Sequence, residues 1–159
     1  MTFLVVYLNL LPFVFGALIG SFLNVVIVRW PQEMSVIRPR SACPKCNNFI
    51  AWYDNFPVVS WLILRAKCRF CKNPISWRYP AVELLTAVLS WLTFHRFVPD
   101  VLRIEPVQLG AYFLYFAFVA GLVAITFIDF EHYLIPDAIS LTGIPVGIVG
   151  AFVLERWGG

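Results

Sequence analysis

A long run without a single charge, Thr2–Val28, lies near the start of this chain, and two more uncharged runs follow, Pro106–Ile128 and Ala138–Leu154. Inside a bilayer no water is available to an exposed backbone N–H or C=O, so such runs are expected to be helices, which satisfy their own backbone. Each is near the ~20 residues needed to cross the hydrocarbon core. A weaker fourth run, Pro80–Val98, carries charge only near its ends, at Glu83 and at His95 and Arg96, as an interface-to-interface span can. With 60% hydrophobic and 13% charged residues, the pattern predicts an all-α polytopic membrane protein of about four transmembrane helices and excludes a free cytosolic one. The first run is not a cleaved signal peptide, because no Lys or Arg precedes it and it exceeds the ~7–15-residue apolar core of such signals.

Nine of the twelve Lys and Arg residues fall between Arg29 and Arg78, against only Glu33 and Asp54. The positive-inside rule places that segment in the cytoplasm and the N-terminus outside, with Asp129–Asp137 cytoplasmic and the C-terminus outside by alternation. Basic loops between spans ordinarily set topology and touch anionic lipid, so no nucleic-acid partner is expected. All four cysteines lie in this segment as two C-x2-C pairs, Cys43 with Cys46 and Cys68 with Cys71. A reducing compartment disfavours structural disulfides, and two chelating pairs suit tetrahedral thiolate ligation of Zn2+ better than a redox dithiol or unliganded core cysteines.

The pairs belong to an internal repeat at one constant offset: Cys43, Cys46, Asn48, Ile50 and Trp52 match Cys68, Cys71, Asn73, Ile75 and Trp77. Each copy reads as a short hairpin knuckle. Asn48 and Asn73 suit a turn with positive φ, and the Ile-x-Trp steps suit a short strand burying both side chains beside the metal. Between the knuckles, Tyr53–Arg65 is apolar yet too short to span, fitting either the bilayer surface or the inside of the small domain. Pro80 and Glu83 read as a helix entrance, with Glu83 structural. Gly16, Gly20 and Ser21 have the small-residue spacing that allows close helix approach, and Asn24, one turn on, needs a polar partner. Pro145, Gly143, Gly147 and Gly150 make the last run dependent on its neighbours.

Asp129 follows the Pro106–Ile128 run directly. On position alone it is either an ordinary interfacial residue or a carboxylate whose partial desolvation readies it for proton transfer. Hydrolysis of an amide by such a group needs a second carboxyl, one protonated and one ionised, sharing a water. Asp137 is a nearby partner but fits a helix N-cap better. Glu131 and His132 make a poor metal set with Asp129, since adjacent helical residues point apart.

Several stretches together resemble the type IV prepilin leader peptidase family, membrane aspartic peptidases and N-methyltransferases of bacterial inner membranes. They are Gly20–Arg29, Arg38–Cys46, Trp52–Asn55 with Pro57, Leu64–Cys71, Ile75–Thr86, Asp129 and Leu134–Asp137, covering nearly the whole chain. The resemblance implies a cytoplasmic zinc domain and cleavage of the basic leader of prepilins and pseudopilins at the cytoplasmic face. It also implies methylation of the new N-terminus with S-adenosylmethionine, and it makes Asp129 the first catalytic carboxylate. The family's second aspartate lies in a Gly-x-Gly-Asp motif further along, and residues 1–159 contain none. A second departure is Ala66, where the family commonly carries Gly. If that position needs a positive φ or a close cofactor approach, Ala impairs it.

The expected organisation is a first transmembrane helix over 1–28, a zinc-knuckle domain over 29–79 and a partial peptidase membrane domain over 80–159, with spans near 80–98, 106–128 and 138–154. The metal ligands are Cys43, Cys46, Cys68 and Cys71. The expected function is prepilin leader peptidase, in a chain truncated or split before its second aspartate and inactive alone. A subunit or downstream segment then supplies that aspartate. The alternative is a non-catalytic membrane adaptor that binds pilins through its zinc domain.

Overall fold

The computed structural model describes residues 2–132 and 137–157. Its described part is helical: α1 (Thr2–Arg29), a short α2 (Val59–Ile63), α3 (Arg78–Phe97), α4 (Pro106–His132) and α5 (Asp137–Trp157), with single 3-10 turns at Trp30–Gln32 and Trp52–Asn55. Among the described residues the only β pairing is two isolated antiparallel bridges, Ala42 with Phe49 and Lys67 with Pro74. Two helical stretches, Phe3–Gln32 and Pro106–His132, are long and apolar enough to cross a membrane. Helix α4 runs a turn beyond its uncharged run, because nothing in Asp129-Phe130-Glu131-His132 breaks a helix, so Asp129 lies within the last turns of α4 rather than after them. The expectations for Leu134, Ile135, Pro136 and the side chain of Asp137 fall outside the described residues.

Helices α1 and α3 pack antiparallel at unusually short range. A Cβ on Gly16 would meet Ser90 Cβ at 2.5 Å, the Thr86 carbonyl at 2.7 Å and Ala87 Cα at 2.8 Å, and one on Gly20 would meet Glu83 Cα at 2.7 Å. The small residues of α1 therefore let two backbones touch, as their spacing predicts. Polar bonds fix the register along this seam. Ser90 Oγ donates to the Pro12 carbonyl at 2.7 Å and receives the Tyr112 hydroxyl of α4 at 2.8 Å, and Asn24 Nδ2 donates to the Tyr79 carbonyl at 3.0 Å. Leu23, Ile27, Val82, Phe94, Tyr112, Phe116, Val123 and Ile128 form the core where α1, α3 and α4 meet. Phe15 of α1 meets Phe113 edge-on at 6.0 Å, and Gly150 of α5 faces Leu114 of α4.

The first turns of α3 and the last of α4 are joined by an ion pair between Arg78 and Glu131. The end of α1, the start of α3 and the end of α4 thus lie at one end of the bundle, together with the cysteine segment that connects α1 to α3. Glu131, weighed above as a metal ligand, is instead held by this arginine.

Candidate functional site

The two C-x2-C turns close in the same way. In the first, the Cys43 amide donates to the Asn48 carbonyl at 3.0 Å and the Asn47 amide to the Cys43 carbonyl at 2.8 Å. In the second, the Cys68 amide donates to the Asn73 carbonyl at 2.8 Å and the Lys72 amide to the Cys68 carbonyl at 3.1 Å. Outside each turn a further bond recurs, Ile50 to Ser41 at 2.8 Å and Ile75 to Ala66 at 2.7 Å. The sequence repeat is therefore a repeat of backbone hydrogen bonds.

Two local expectations change. Positive φ falls one position earlier than expected, at Asn47 (55°) and Lys72 (58°) rather than Asn48 and Asn73. The residue right after the second cysteine must reverse the chain, and the following carbonyl then closes the loop. The Ile-x-Trp steps do not become buried strands: Trp52 starts a 3-10 turn and Trp77 precedes α3, leaving these rings 74% and 72% exposed. Trp61 ties the second knuckle down instead, donating from Nε1 to the Ile75 carbonyl at 3.2 Å. In Tyr53–Arg65, Phe56, Val59, Leu62 and Ile63 are exposed while Ser60 is buried. Most of that segment's apolar surface therefore stays outside the small domain.

The hairpins bring the four thiols into one cluster, all Sγ atoms lying within 4.8 Å of one another. The Cys43–Cys71 separation is 3.8 Å and the Cys46–Cys68 separation 4.0 Å. Sulfurs bound tetrahedrally at ~2.3 Å from a zinc ion are about 3.8 Å apart, so the donor set has the dimensions of a four-thiolate site. Its electrostatics fit a cation as well. Amides of Cys46 and Lys45 hold the Cys43 thiol below its ordinary pKa. The Asn48 amide does the same for Cys46, and the amides of Cys71 and Phe70 do so for Cys68. At Cys71 the Asn73 amide pulls downward but is outweighed by desolvation and the neighbouring thiols Cys46, Cys68 and Cys43, which push it up to about 11. Backbone amides aimed at the sulfurs favour the thiolate form that metal ligation uses.

Asp129 sits on the outer face of α4 near the end of the bundle that carries the cysteine segment, and its side chain is exposed. Glu83 lies past the first turn of α3, too deep to cap it; it is buried, and its Oε2 accepts the Val58 amide at 2.7 Å. Val58 has φ 58° and ψ −47°, a strained geometry for a β-branched residue, with the Val59 amide reaching the Pro57 carbonyl at 2.5 Å in a γ-turn. Nothing in the sequence signals that strain. Nearby, Asp54 takes a two-pronged bond from Arg69 at 2.6 and 2.5 Å, which holds its carboxyl below the usual range.

These observations define a bundle of apolar helices with a four-cysteine cluster of metal-site dimensions built into the connection between its first two long helices. Residues 14–97 match the bacterial peptidase A24 N-terminal domain, and the chain belongs to that family, whose relatives carry the name prepilin leader peptidase/N-methyltransferase. It is similar to the protein of that name from Myxococcus xanthus (strain DK1622), 45% identical over 142 residues that cover 89% of this chain and 40% of the relative. It is also similar to those of Aeromonas hydrophila, 39% identical over 173 residues covering 90% and 56%, and Neisseria gonorrhoeae, 34% over 168 residues covering 88% and 56%. The chain spans about half the length of these curated relatives. No solved structure matches it.

Proposed function

We propose that this chain is the zinc-binding and first-carboxylate portion of a prepilin leader peptidase of the bacterial inner membrane, with four spans (α1, α3, α4 and α5) and the cysteine segment on the cytoplasmic side. The observation that carries the reading is the placement of Asp129 and the four-thiolate cluster at one end of the bundle, in a chain closely similar to proteins of that name. In this reading Cys43, Cys46, Cys68 and Cys71 hold a structural Zn2+, and the exposed apolar side chains of Phe56, Val59, Leu62 and Ile63 rest on the bilayer surface. Prepilins and pseudopilins are the substrates.

For hydrolysis, Asp129 is one of two carboxyls that share a water. The ionised one takes the water's proton as its oxygen attacks the scissile carbonyl, and the protonated one donates to that carbonyl oxygen. The second carboxyl belongs to a segment or subunit outside residues 1–159. A prepilin leader cleavage assay tests this: the purified chain is expected to be inactive, and to gain activity with a polypeptide supplying Gly-x-Gly-Asp, dependent on Asp129. Cleavage by the chain alone that Asp129→Asn abolishes would refute the need for a second carboxyl from elsewhere. A membrane adaptor is the second reading; retained pilin binding with no cleavage in any reconstituted combination would establish it.

Methylation of the new N-terminus is the second activity in this proposal. S-adenosylmethionine would supply the methyl group. A cleft of about 450 Å³ between α1, the knuckles and the start of α3, lined by Ser21, Asn24, Val58, Tyr79 and Glu83 among others, lies in the size range of small-molecule sites. Its unpartnered Asn24 Oδ1 and buried Glu83 carboxyl, cation-free among the described residues, suit a cofactor that carries an ammonium group.

A further inference from the structure

One acceptor in that cleft is buried without a donor, and a carboxyl beside it is buried without a cation. Asn24 is 4% exposed; its amide nitrogen is satisfied by Tyr79, but its Oδ1 has no hydrogen-bond partner. Glu83 is 9% exposed, and among the described residues no Lys, Arg or His lies within ion-pair distance of it. Buried carboxylates are ordinarily paired, because an isolated charge is costly to remove from water.

The cations that could pair with Glu83 are committed elsewhere. Arg29 and Arg69 both line the cleft. Arg29 donates to the Ser35 and Pro39 carbonyls at 3.0 and 2.8 Å, while Arg69 is bound to Asp54. Arg78, next to Tyr79, is bound to Glu131. The strained Val58 turn fixes the Glu83 carboxylate through its amide, and strain of this kind is sustained where a group must be held in place.

We propose that Asn24 Oδ1 and Glu83, with the Ser21 hydroxyl beside them, form a recognition site for a primary ammonium group entering the cleft. The three N–H donors of such a group match three acceptors of one open, partly apolar pocket, and they supply the missing counter-charge. The chemistry fits two sources, the free N-terminus of a peptide and the α-ammonium of an adenosylated amino acid. The inference rests on the methyl-transfer half of the proposed function only for the identity of the amine.

Binding to the purified chain in detergent, measured calorimetrically, separates these sources. One pair of probes is trialanine amide with and without an N-acetyl cap; the other is S-adenosylhomocysteine and its analogue with the α-ammonium replaced by hydrogen. At least one free-ammonium probe should bind roughly tenfold or more tightly than its blocked partner, as expected for a lost charge-assisted bond, and the pair showing the preference names the source. In Glu83→Gln the preference should largely vanish. No preference in either pair, or a preference unchanged in Glu83→Gln, overturns the proposal. If Glu83→Gln does not fold, labelling of wild-type Glu83 by dicyclohexylcarbodiimide, mapped by mass spectrometry, replaces it. Protection by the favoured probe is expected, and equal labelling with and without probe overturns the site. An amine preference without leader cleavage in any reconstitution would count against the peptidase reading alone.

Discussion

Substituting Gly16 by Ala, with Gly110→Ala as its counterpart, tests whether the α1–α3 seam is held at backbone contact. At Gly16 the new methyl would lie 2.5 to 2.8 Å from three atoms of α3, two of them backbone, whereas nothing lies within 4 Å of a methyl at Gly110. Ordinary carbon contacts sit near ~3.5 Å, so α1 and α3 must separate locally by about 1 Å. Forced separation of packed elements costs about 1–3 kcal/mol. It would also stretch the Ser90 bonds to Pro12 and Tyr112. Both variants gain about 1 kcal/mol of helix propensity, which cancels in the comparison. Gly110→Ala should therefore be the more stable by about 1–3 kcal/mol, a gap of roughly 2–12 °C for a chain of this size. Thermal melts followed by circular dichroism in one detergent provide the assay. Equal stability of the two variants would refute close backbone packing at Gly16.

Ala66 has a φ of 58°, a conformation that costs an L-residue roughly 1–2 kcal/mol and glycine little, so Ala66→Gly should raise the stability of the knuckle segment by about 1 kcal/mol, read from protease resistance of the stretch from Arg40 to Ile75. Chelation of the metal should expose four thiols to a chromogenic thiol reagent and loosen that same segment while the helix signal of α1 and α4 persists; thiols equally reactive before and after chelation would contradict four-thiolate ligation. Elemental analysis should find about one zinc per chain, and Cys43→Ser should lose it. The Asp54–Arg69 pair lowers the folded-state pKa of Asp54. Its contribution is therefore fully present above the unfolded value of ~3.9 and lost as pH falls below that through the depressed folded value. The acid limb of a pH–stability profile should accordingly flatten in Asp54→Asn, and an unchanged limb would show that the pair adds nothing.

The sequence alone determined the long helices and the pairing of the four cysteines. Uncharged runs as long as Thr2–Val28 and Pro106–Ile128 leave the backbone no partner but itself, and the four cysteines recur at one offset because the same turn is built twice. The small residues Gly16 and Gly20 announced a close helix contact, although the sequence could not name α3 as its partner. Only the tertiary structure decided what depends on contacts between distant segments. It turned Glu83 from a helix entrance into the support of a strained turn at Val58, far from it along the chain, tied Glu131 to Arg78, and moved the reversal of each knuckle to Asn47 and Lys72. It also left Asn24 Oδ1 without a donor. Periodicity and spacing record what one segment can do by itself, whereas a buried acceptor is satisfied or orphaned by the groups that other segments bring to it.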